Sequence, residues 1–123
     1  NLDFGKEIVY DVWSVIKRGY CKILVVNLTN DTYRPVLVAD HEWQCHPPHK
    51  LTSFYQWCID NAIIHPEDKE KFLAFLSNHD GYVEYRRRQK DNSWEWVEMT
   101  ITPTENYTED NKEFILCVSY MMY

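Results

Sequence analysis

With 123 residues, of which 45% are apolar and 15% aromatic, the chain has room for one domain burying roughly two-thirds of its unfolded surface, and disorder is set aside. A formal charge of −6 argues against a nucleic-acid partner, which needs a basic face to displace counterions. No apolar run approaches the ~20 residues that span a bilayer and no signal peptide opens the chain, so no direct membrane contact is expected, and cysteines that read as reduced give a cytoplasmic domain as the expectation. The absence of an initial Met suits a domain cut from a longer protein, and equally a processed terminus.

From Asp3 to Arg18, Phe4, Ile8, Val12 and Val15-Ile16 recur at the helical period, with Val9 and Trp13 widening the stripe. Asp3 can cap this helix, and Gly19 after Lys17-Arg18 is a favoured stop. Tyr20 to Leu28 is rich in β-branched residues, Thr29 to Asp31 supplies turn chemistry, and Thr32 to Ala39 reads as a second strand, giving an antiparallel hairpin. Pro35 lacks a ladder donor, so the second strand belongs at an edge or a bulge. Asp40 to Lys50, with Pro47-Pro48, reads as loop.

Leu51 to Ile64 carries an imperfect helical stripe through Phe54, Trp57-Cys58, Asn61-Ala62 and Ile64, with Thr52 or Ser53 as its cap. Pro66 suits the first turn of a new helix, where Glu67 and Asp68 complement the dipole and Phe72, Leu73, Phe75 and Leu76 form the apolar face. Tyr82 to Lys90 and Trp94 to Thr102 alternate as strands around Asp91-Asn92-Ser93, and Lys112 to Met121 is the last strand. In the first of these, alternation separates Arg87 from Arg86 and Arg88, so this basic cluster reads as a solvated strand face and not a phosphate site.

The segments His65-Pro66-Glu67-Asp68 and Asp91-Asn92-Ser93-Trp94-Glu95-Trp96-Val97 resemble the C-terminal half of a PAS domain, the sensor module of bacterial signalling proteins, in the subgroup with an H-P-[ED]-D start and a D-[GN]-S-W-x-W-V hairpin. The likeness is specific over His65 to Val118 and weaker over Tyr20 to Val38. It implies an α+β fold: a five-stranded antiparallel sheet, helices inserted between strands 2 and 3, the first strand beside the last, and an N-terminal helix. Residues 1–19 are then a linker or dimerisation helix and 20–123 the PAS domain. The stretch Lys22 to Tyr33 looks like sensor segments ahead of diguanylate cyclase (GGDEF) domains. An effector in the same chain, a diguanylate cyclase or a histidine kinase, is therefore implied. Ser119-Tyr120-Met121-Met122-Tyr123 replaces the Asp-[Ile/Val]-Thr exit of many relatives.

Such a module binds or relays and does not catalyse. The sequence accordingly has no P-loop, G-x-S-x-G or H-E-x-x-H; Glu67-Asp68 fit the helix dipole, and Glu95 and Glu98 fit exposed strand positions. A small-molecule ligand in the hollow of the fold would be lined by Val25, Phe54, Trp57, Phe72, Phe75, Tyr85, Val97, Met99, Leu116 and Val118. The alternative is that these side chains fill the core and the domain acts through protein contacts alone. A homodimer is expected, using Phe4, Ile8, Val12 and Val15 of the leading helix with Trp94 and Trp96.

His41, Cys45, His46 and His49 cluster in the loop but match no zinc spacing, so no metal site is expected there. Haem through His65 is disfavoured, because the resemblance gives that residue a role in packing and hydrogen bonding where the helix begins. Flavin is disfavoured too, since Cys58 lacks the arginine and glutamine neighbours of the photosensor motif. Cys21, Cys58 and Cys117 sit in apolar patterns and read as buried, reduced thiols.

Overall fold

The computed structural model describes residues 16, 18–38, 48–78 and 81–121. The expected leading helix lies outside them apart from Ile16 and Arg18, both helical. Phe4, Ile8, Val12 and Val15, like His41, Cys45 and His46, are also outside the described residues.

Five strands form one antiparallel sheet: β1 (Tyr20–Asn27), β2 (Thr32–Val38), β3 (Tyr82–Arg88), β4 (Trp94–Pro103) and β5 (Glu113–Tyr120). Their spatial order is β2-β1-β5-β4-β3, so the first strand lies beside the last. Helices α1 (Leu51–Asp60) and α2 (Lys69–Asn78), the second led in by a 3-10 turn at Pro66–Asp68, are inserted between β2 and β3. This is the expected α+β architecture. Pro35 is placed as its chemistry requires: β2 is an edge strand, and its register with β1 shifts between Ile23 and Leu24.

The sheet buries one face beneath the helices. Leu24 and Val26 of β1, Leu116 and Val118 of β5, Val97 and Met99 of β4, and Val83 and Tyr85 of β3 are all buried, and the ladder partners Leu24–Leu116 and Met99–Val118 show that they share a face. Phe54, Cys58, Phe72 and Phe75 close the layer from the helix side. Each fully buried aliphatic or aromatic side chain contributes roughly 1.5–3 kcal/mol.

Helix ends differ from the expectation in an instructive way. Neither Thr52 nor Ser53 caps α1; the N-cap is Lys50, which makes no side-chain cap bond. Asp31, from the β1–β2 turn, does the work instead. Its carboxylate accepts from the Thr52 amide at 2.9 Å and the Thr52 hydroxyl at 2.8 Å, while its carbonyl accepts from Leu51 N–H at 3.1 Å. An acceptor at that place satisfies amide donors that the first turn leaves open. Helix α1 also stops at Asp60, before the expected Ile64. There Ile63 N–H donates to the Cys58 carbonyl and Ala62 N–H to the Ile59 carbonyl, a Schellman motif with Ala62 at φ 53°.

Candidate functional site

The helix-covered face encloses a cavity of about 10 Å³, bordered by Phe54, Phe72, Tyr85, Met99, Leu116 and Val118 together with Lys22, Tyr55, Cys58, Ile63 and Ile64. Six of the ten candidate lining residues therefore meet around one space. Phe75 and Val97 are buried in the same core but do not border it, and Trp57 is half-buried at its margin. Val25 is misplaced by the sequence reading. It pairs with Ile115 on the opposite face of the sheet, and Leu24 and Val26 take the inner positions.

Alternation could not make that choice, because both faces of β1 are apolar. Aromatic rings fill the remaining volume: Phe72 packs edge-on against Tyr85 at 5.5 Å and against Tyr55 at 6.3 Å, and Phe54 stacks on Trp57 at 6.0 Å. A volume of 10 Å³ approaches that of a single water site and is far below the roughly 300 Å³ of small-molecule pockets.

Two polar groups lie on the cavity wall, Tyr55, which the sequence offered as a buried polar partner, and Lys22, which it did not. Lys22 is only 5% exposed, and its ammonium lies 5.2 Å from the centre of the Phe54 ring, a cation–π geometry. A register shift between Tyr20 and Lys22 turns both Cys21 and Lys22 into the protein; a bulge of this kind leaves no trace in the alternation. Tyr55 is 9% exposed, and its hydroxyl has no hydrogen-bond partner among the described residues. Burial raises its pKa, and the neighbouring Cys58 and Asp31 raise it further.

The H-P-E-D segment fastens the helices to the sheet edge. His65 accepts the Glu67 N–H on Nδ1 at 3.1 Å, and its ring meets Trp94 edge-on at 4.6 Å. Its backbone extends the sheet beyond β3, since His65 N–H donates to Arg86 O and Arg88 N–H to Ile63 O, each at 2.9 Å. Asp68 is 3% exposed and accepts from the Arg86 amide at 2.8 Å, Nε at 3.0 Å and Nη2 at 3.1 Å. Burial alone would raise its carboxyl, but the Arg86 hydrogen bonds and the charges of Lys71 and Arg86 outweigh burial and hold it below the usual carboxylate range.

Two of the three arginines of β3 are thus paired within the protein and not part of a solvated face. Arg86 is clamped by Asp68 and Glu67, and Arg87, 2% exposed, donates to Glu95 at 2.9 Å. Glu95 is correspondingly a half-buried ion-pair partner and not a free surface carboxylate.

The other sheet face carries Trp94 and Trp96, 37% and 40% exposed, on one side of β4. Trp96 lies between Lys71 at 5.0 Å and Arg86 at 5.1 Å from its ring centre. Ile115 and the half-buried Ile23, Val25 and Cys117 extend an apolar surface on this face across β5 and β1. Cys21 and Cys58 are buried and form no disulfide among the described residues, the Cys21 thiol donating to the Val118 carbonyl at 3.4 Å; burial raises the pKa of Cys117. Among the described residues, no three His, Cys, Asp or Glu side chains group as a metal site.

A family model described as the PAS fold matches residues 46–119. No curated protein matches the sequence. Among solved structures, the chain is similar to a sensory box histidine kinase/response regulator from Burkholderia thailandensis E264, with a TM-score of 0.51 and 20% identity over 85% of this chain and 77% of that chain. At that identity the likeness speaks to the fold. The inserted helices, the β2-β1-β5-β4-β3 sheet and the family match over more than half of the sequence together make this chain a member of the PAS fold family.

Proposed function

We propose that this PAS domain is a sensory module of a signalling protein and relays its signal to an effector on the same chain, a histidine kinase or a diguanylate cyclase, through contacts between two copies of its outer sheet face. The observation that carries the reading is the contrast between the two faces. The helix-covered side leaves about 10 Å³, whereas the open side presents Trp94, Trp96 and Ile115, each more than a third exposed. A face of this kind is a docking surface by its chemistry: apolar and aromatic at the centre, with Glu98 and Arg88 near its margin.

In this reading the domain binds and relays, and bond-making chemistry belongs to the effector. The leading helix, with Phe4, Ile8, Val12 and Val15, joins the same interface. A small change of packing between sheet and helices shifts the relative population of two dimer arrangements, which the effector senses. The similarity to a sensory box histidine kinase supports this at the level of the fold. Among the described residues no helix is long and apolar enough to cross a membrane, which is compatible with the proposed cytoplasmic location.

Sedimentation equilibrium of the 123-residue chain tests the proposal. A dimer is expected, and Ile115→Lys is expected to weaken it by at least tenfold with an unchanged circular dichroism spectrum. A monomer mass at every concentration overturns the reading.

A further inference from the structure

A second space, outside the core, lies where α1, α2 and the β1–β2 turn meet. It is an open groove of about 530 Å³, within the range of small-molecule pockets. Its apolar wall is made by Leu28, Leu51, Leu73 and Leu76, with the ring of Tyr55. Leu73 was expected on the apolar face of α2 and is 38% exposed.

The polar groups on the groove are already engaged, with one exception. The Thr52 hydroxyl donates to Asp31, the Gln56 amide to Asp60 and the Ser77 hydroxyl to the Leu73 carbonyl. Among the described residues Tyr55 Oη has no partner, although the residue is only 9% exposed. A buried hydroxyl without a partner is rare and calls for an explanation. Tyr55 also borders the enclosed core cavity, so its ring forms the partition between cavity and groove.

We propose that this groove binds a neutral, largely apolar small molecule with one hydrogen-bond acceptor, which takes the hydroxyl proton of Tyr55. The hydroxyl is enclosed and makes no hydrogen bond among the described residues. Bonding to a groove occupant therefore requires the side chain to swing toward the groove, at the expense of ring packing against Phe54 and Phe72 but of no hydrogen bond. The charge of the ligand follows from the rim. Asp31 supplies a carboxylate and, among the described residues, no Lys, Arg or His borders the groove, so an anion is repelled. An occupant would touch both helices and the turn whose Asp31 caps α1, and would brace α1 against α2.

Acetophenone is a suitable probe, with ethylbenzene as the counterpart lacking an acceptor and benzoate as the anion. In amide-resolved NMR of the chain, acetophenone is expected to give saturable shifts at Thr52, Gln56, Leu73 and Ser77. Benzoate is expected to bind at least tenfold more weakly. Tyr55→Phe should weaken acetophenone about tenfold, the worth of one hydrogen bond, and leave ethylbenzene unchanged. Leu73→Glu, at a partly exposed position that tolerates the change, should abolish binding of both.

The inference is independent of the dimer reading, and the monomeric Ile115→Lys variant is expected to bind the probe as the parent does. Absence of saturable shifts up to the solubility of acetophenone overturns it. So do shifts centred on Met99 and Leu116 in the core, or equal affinity of the Tyr55→Phe protein for acetophenone.

Discussion

Asp31, Ala62 and Asn92 adopt left-handed backbone conformations at φ 56°, 53° and 69°. Asp and Asn tolerate this region because their short polar side chains bond locally. Asp31 and Asn92 sit in hairpin turns, and the latter turn is further tied by Ser93 N–H donating to Asp91 at 3.0 Å. Ala62 has no such compensation. It occupies the position after the α1 cap where glycine is the common solution, because a Cβ is strained there. Ala62→Gly is therefore expected to stabilise the protein by about 0.5–1 kcal/mol, the relief of strain exceeding the added chain entropy of glycine. Urea unfolding measures it, and a loss of stability would show that the Ala62 methyl packs more than it strains.

Among the elements, the 3-10 turn does more than start a helix. Just ahead of it, the backbone of Ile63 and His65 bonds to β3 and covers part of the sheet edge that would otherwise expose unpaired backbone groups. Asp68 holds this union together through three hydrogen bonds from Arg86. Asp68→Asn removes the charge and disturbs the donors aimed at it, and a loss of about 1–3 kcal/mol is expected. Because the folded carboxyl is held below its unfolded pKa, its contribution is fully present above about pH 4, the ordinary carboxylate value, and is lost as pH falls through the folded value. The stability gap between parent and Asp68→Asn should thus be widest near neutrality and close in acid. A gap that stayed constant down to about pH 2 would mean that the charge contributes nothing.

At the scale of the whole molecule, the two faces of one sheet have been given different tasks. The inner face is filled by aromatic rings that leave about 10 Å³, and Tyr55 alone of them also borders the outer groove. Phe72, 3% exposed and in contact with Tyr55 and Tyr85, is the keystone of that packing. Phe72→Ala is expected to cost about 3–5 kcal/mol in chemical denaturation, since the hole cannot close completely. A cost below about 1 kcal/mol would mean that the core collapses freely. The outer face retains apolar area, and the dimer proposal assigns that area to a second copy.

Much of this architecture was legible in the chain itself. The order of strands and helices follows from local periodicity and turn chemistry, which short windows of sequence carry. Ser93-Trp94-Glu95-Trp96 and His65-Pro66-Glu67-Asp68 are contiguous, so their resemblance to a PAS domain was visible without a fold. Six of the ten residues named for the cavity do border it, since the helices and β3–β5 each have one plainly apolar face.

What only the tertiary structure decided involves partners far apart in sequence. Ile23, Leu24, Val25 and Val26 are apolar without a break, so no pattern could show that Leu24 and Val26 point inward and Val25 does not. The bulge that buries Lys22 depends on pairing with β5. The capping of α1 by Asp31 and the clamp of Asp68 on Arg86 join residues 21 and 18 positions apart. Sequence sets local conformation through sterics and solvent preference. Which buried charge meets which partner, and how much space the rings leave, is fixed only when all the layers close on one another.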